Sequence, residues 1–81
     1  MRRQARETHG RQADALIDLY LEWREECSAV DLAYQRWGQA SKDERRAAFA
    51  AYNAALDREE RASNIYAALV REVSAAALQA V

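Results

Sequence analysis

The sequence predicts an all-α protein, an antiparallel two-helix hairpin that dimerises into a four-helix bundle. Three observations carry that expectation. Ala13, Leu16, Tyr20, Trp23, Cys27, Val30, Tyr34 and Trp37 form an unbroken three-four apolar repeat, the period of a narrow helical seam that meets another helix. Gly38-Gln39-Ala40-Ser41 then interrupts the repeat with turn chemistry. The 81 residues include no proline and two glycines, a composition that favours long helices and leaves a sheet few turns.

Residues 1–10 are a polar, basic arm in which Arg2, Arg3 and Arg6 are followed closely by Arg11. Such a segment is either a frayed extension of helix or a disordered arm. Gly10 weakens a helix there by about 1 kcal/mol relative to alanine. The first helix covers about residues 11 to 37. Its outer face carries an acidic stripe of Asp14, Asp18, Glu22 and Glu25, and acid near a helix N-terminus complements the macrodipole. Gly38 is placed as the residue just past the helix end, where a left-handed backbone suits glycine. Ser41 and Glu44 form a capping box, so the second helix begins at Lys42 and runs to about residue 77. A connection this short folds the two helices back antiparallel. The hairpin domain occupies residues 11–81.

The second helix places Phe49, Tyr52, Leu56, Ser63, Tyr66, Val70, Val73 and Ala77 on one stripe, flanked by Ala48, Ala55, Ala62, Ile65 and Leu69. That stripe is wide enough for two partners. Folding at residues 39 and 40 sets Trp23 near Leu56, Cys27 near Tyr52, Val30 near Phe49 and Leu16 near Ser63. It also brings Arg58 and Arg61 within reach of Glu22 and Asp18. In this register Leu69, Val70, Val73 and Leu78 face only the polar arm. Two helices share a single contact face, which is little for independent stability at this size. A homodimer with the stripe from 65 to 78 inside its interface covers those residues.

Composition excludes several function classes. The formal net charge is -1, which gives no whole-molecule field toward nucleic acid or a charged membrane. One cysteine rules out an internal disulfide, and one histidine argues against a histidine-rich metal site. The apolar stretches Ile65 to Val70 and Val73 to Val81 are separated by Arg71 and Glu72, and neither is long enough to span a bilayer. The expected setting is cytoplasmic, with no membrane partner.

No residue constellation points to catalysis. Cys27 lies within the seam and behaves as a small hydrophobe; a nucleophile would need a base and an electropositive setting. Its neighbours are instead Glu25 and Glu26, and His9 is distant along the chain. The pairs Glu25-Glu26 and Glu59-Glu60 lack the Glu-x-x-His pattern of carboxylate-bridged metal bundles, and are expected on solvated faces. No catalytic residue, metal ligand or cofactor is assigned. The candidate core and interface residues are Tyr20, Trp23, Cys27, Val30, Tyr34, Trp37, Phe49, Tyr52, Leu56, Tyr66, Leu69, Val70 and Val73. The rings among them supply contact area with a polar handle, as interfaces use. Arg2, Arg3, Arg6 and Arg11 are candidate anion contacts.

The strings Trp23-Arg24-Glu25-Glu26-Cys27 and Ala51-Tyr52-Asn53-Ala54-Ala55-Leu56-Asp57-Arg58-Glu59-Glu60-Arg61 resemble short hairpin proteins of high-GC bacteria or their phages. That resemblance implies the fold and a bacterial or phage cytoplasmic setting, and no activity. Trp37-Gly38 in the bend resembles the Trp-x-Gly of the WXG100 secreted hairpins. Here the two residues are adjacent, and Val70 stands four positions after Tyr66 where that family has an acid. The expected function is a non-enzymatic protein-protein interaction module, an adapter, assembly subunit or small regulator, that binds itself and another protein through helical faces. The alternative is a small nucleic-acid-associated regulator that uses the basic arm.

Overall fold

A computed structural model describes residues 2–80, with side chains from residue 10 onward. Two helices, α1 (Arg2–Gln39) and α2 (Arg45–Gln79), pack along their length as an antiparallel hairpin, and no strand is present among the described residues. The molecule is a rod of 63 × 17 × 12 Å.

α1 is longer at both ends than its sequence boundaries suggest, whereas α2 starts later at the bend and ends two residues later, at Gln79. α1 runs through Gly10 without a break and continues past Trp37 to Gln39. Gly38 is therefore a helical residue rather than a left-handed cap, and no described glycine has a positive φ. Ala40 N–H closes the helix onto the Trp37 carbonyl at 3.2 Å. Half of the capping box forms: Glu44 N–H donates to Ser41 Oγ at 3.3 Å and to the Ser41 carbonyl at 3.1 Å. Those bonds hold residues 42–44 in a tight turn, so the regular helix starts at Arg45 rather than Lys42.

This later turn moves the register by about two helical turns. Trp23 meets Tyr66 and Glu59 rather than Leu56, and Trp37 meets Tyr52 and Phe49. Leu16 lines one cleft with Val73 rather than standing opposite Ser63. Arg58 pairs with Glu26 at 3.3 Å, not with Glu22. The expected overhang is reversed as a result. Leu69 and Val73 are half-buried between the helices, Gln12 and Ala80 line one cleft, and α1 is the helix that runs on past the end of its partner.

The interhelical seam is also rotated. Half-buried positions that follow one seam are Gln12, Leu16, Leu19, Trp23, Glu26, Val30, Ala33 and Trp37 on α1 and Ala48, Tyr52, Glu59, Ala62, Tyr66, Leu69 and Val73 on α2, with Ala55 fully buried; Cys27, Leu56 and Ser63 are half-buried beside it. Each series keeps the three-four spacing of a coiled coil. Ala13, Tyr20 and Tyr34 are consequently exposed. Small and large residues alternate along α2, so the alanines admit the opposing backbone while the tyrosines fill the space between. Glu26 and Glu59, expected on solvated faces, are half-buried here.

Candidate functional site

The hairpin carries two aromatic clusters of the same construction. Trp23 stacks on Tyr66 with ring centres 5.9 Å apart and planes at 14°, and Tyr20 packs edgewise on Trp23 at 6.1 Å. Nearer the bend, Trp37 stacks on Tyr52 at 5.5 Å and 19°, with Tyr34 edgewise on Trp37 at 6.1 Å. Phe49 adds a further ring, 5.0 Å from Trp37. Offset and edgewise contacts of this kind add about 0.5–1.5 kcal/mol each beyond area burial. The duplication was written in the sequence. Tyr-x-x-Trp occurs at 20–23 and 34–37, and Tyr52 and Tyr66 share the same two-heptad spacing.

A polar layer separates the clusters. The Trp23 indole N–H donates to Glu59 Oε1 at 2.8 Å, and Arg58 Nε donates to Glu26 Oε2 at 3.3 Å. These partners satisfy the two carboxylates that the seam half-buries. Polar residues at seam positions tie one register to one pairing, because any slip leaves them without partners.

The two flanks of the seam differ in chemistry. On one, Glu22, Glu25 and Glu26 face Arg58 and Arg61 across a shallow groove that also includes Ile65. The other presents Ala13, Tyr20, Cys27 and Tyr34 from α1, and Phe49, Leu56, Ser63, Val70 and Ala77 from α2, each series at strict heptad spacing. No charged residue interrupts either series. Tyr34 is 59% exposed, Phe49 44%, Tyr20 42% and Val70 36%. Ile17 and Leu21, one turn apart on α1, and Leu32 and Leu78 are exposed as well.

The candidate residues therefore separate into two groups. Trp23, Val30, Trp37, Tyr52, Tyr66, Leu69 and Val73 lie in the seam; Tyr20, Tyr34, Phe49 and Val70 are exposed on the apolar flank, where the first three also pack a ring across the hairpin on Tyr66, Tyr52 and Trp37, and half-buried Cys27 and Leu56 lie between them. Arg11 is exposed, whereas the side chains of Arg2, Arg3 and Arg6 lie outside the described residues. No group of three histidine, cysteine or carboxylate side chains suited to a metal occurs among the described residues. No described helix is long and apolar enough to cross a membrane. No family model, curated protein or solved structure matches this chain.

Proposed function

We propose that this chain is a non-enzymatic protein-protein interaction module, an adapter, assembly subunit or small regulator in a cytoplasmic setting. It acts by pairing with a second copy along the apolar flank to form a four-helix bundle. The observation that carries this reading is the uncovered surface. The hairpin exposes 6790 Å², about 1,900 Å² more than a compact monomer of this length. An obligate homodimer hides about 1,000–2,500 Å² on each subunit. Ala55 is the one buried core residue among those described, so a lone hairpin has little interior with which to offset chain entropy.

Sedimentation at micromolar concentration tests the reading, with a dimer as the expected species. Val70→Asp should shift it to monomer, because Val70 stands on the exposed flank and its replacement leaves the hairpin seam intact. A wild-type chain that sediments as a folded monomer at 100 µM would end the proposal.

A second reading has its own observation. α1 continues beyond the end of α2, and that projecting helical segment carries Arg2, Arg3 and Arg6. A nucleic-acid-associated regulator would use it for phosphate contacts. Such binding weakens steeply with added salt through counterion release, and removal of residues 1–9 would abolish it.

A further inference from the structure

The apolar flank is bulky at one end and hollow at the other. At the bend, Tyr34 and Phe49 project from the second aromatic cluster, 59% and 44% exposed. At the opposite end, Ala13, Leu16, Val73, Ala77 and Ala80 line an open apolar cleft of about 390 Å³. We infer that the dimer is assembled with its two bends at opposite ends, so that Tyr34 and Phe49 of each copy fill the alanine-lined cleft of the other. This arrangement rests on the dimer reading above and specifies its geometry.

The heptad positions support it pair by pair. A twofold axis across the flank, perpendicular to the rod, sets α1 against α1 and α2 against α2 in antiparallel fashion. On α1 the pairs Ala13 with Tyr34 and Tyr20 with Cys27 share one midpoint, between residues 23 and 24. On α2 the pairs Phe49 with Ala77 and Leu56 with Val70 share their midpoint at Ser63. The two midpoints lie at the same level of the hairpin, since Trp23 touches both Glu59 and Tyr66. One axis therefore satisfies both helices, as an isologous interface requires. Each of the two tyrosines on α1 meets a small residue, as does Phe49 on α2, and Ser63 meets its own copy at the centre.

The other twofold arrangement, with both bends at one end, sets α1 against α2 of the partner without reversing the rod. Tyr34 would then lie level with the partner's own bulky bend, ring against ring. Both alanine clefts would face each other and remain unfilled. Empty apolar space forfeits contacts on every wall that lines it, so the opposed arrangement is favoured.

A nitroxide label at the bend distinguishes the two. In the Cys27→Ser background, Lys42→Cys places the label on an exposed turn residue outside the seam and the flank. Dipolar spectroscopy should report a separation of about 55 Å for opposed bends, against at most about 25 Å for bends at one end. The short distance would overturn the opposed arrangement while leaving the dimer intact. Absence of any dipolar signal, together with a monomer in sedimentation, would overturn the dimer reading itself. A second variant tests the cleft directly. Ala77→Trp should weaken dimerisation at least tenfold by occupying the space, whereas Leu78→Trp, next to it but off the flank, should leave it unchanged. Equal effects from both would also count against the filled cleft.

Discussion

Trp23 concentrates what this hairpin does with a single side chain. Its face stacks on Tyr66 and its indole N–H binds Glu59 at 2.8 Å, so one residue supplies both packing and partner choice. A glutamate at a seam position is costly where it stands without a donor, and the indole removes that cost. The two contributions separate by substitution. Trp23→Phe keeps a ring for Tyr66 but deletes the donor, and should lower stability by about 1–2 kcal/mol. Glu59→Ala should cost a similar amount. The double variant should then show a coupling energy of about 1 kcal/mol in chemical denaturation at fixed chain concentration. Coupling close to zero would mean that the hydrogen bond contributes nothing, and that stacking alone holds Trp23.

At the scale of the helices, the bend is where sequence and structure part most clearly. Glycine suits a left-handed cap, but it also tolerates a helical position, and nothing local to Gly38 distinguishes the two. Ser41 settles the matter further along by capping a turn whose regular helix begins four residues later, and this displaces the register by about two turns. The helix type, the antiparallel pairing and the breaking segment were legible because each rests on local periodicity and turn chemistry. The seam was legible only in part. Leu16, Trp23, Val30 and Trp37 belong to two possible three-four repeats, one through Tyr20, Cys27 and Tyr34 and the other through Leu19, Glu26 and Ala33. Bulk favours the first, yet α2 takes the second, where its alanines at 48, 55 and 62 allow close approach. The tyrosines thereby become surface, and the candidate interface is visible only once the partner helix is in place. Gly38→Ala tests the helical assignment. A Cβ added at Gly38 meets open space and its φ is not positive, so alanine should raise stability by about 0.5–1 kcal/mol. Destabilisation would restore the left-handed cap. Ser41→Ala should cost about 0.5–1 kcal/mol through loss of the bond to Glu44 N–H.

For the whole molecule, shape and surface point the same way. The radius of gyration is 18.4 Å, where a compact chain of this length has about 12 Å. A thin rod with half-buried rings along its seam and exposed rings along one flank has more apolar surface than two helices can hide from each other. Doubling the rod side by side adds a second layer without lengthening it, and turns the flank into the middle of a four-helix core. Stability and association then become one equilibrium, governed by mass action. The melting temperature should rise by about 3–6 °C for each tenfold increase in chain concentration. Raising salt from 0.05 to 0.5 M should change that slope little, since the flank's heptad positions carry no charge to screen. Val70→Asp should remove the concentration dependence while circular dichroism retains a helical signal, because Val70 is exposed on the flank rather than packed in the seam. A melting temperature independent of concentration in the wild-type chain would instead mean that two helices and their stacked rings suffice, and the uncovered flank would then be open to a partner of a different kind.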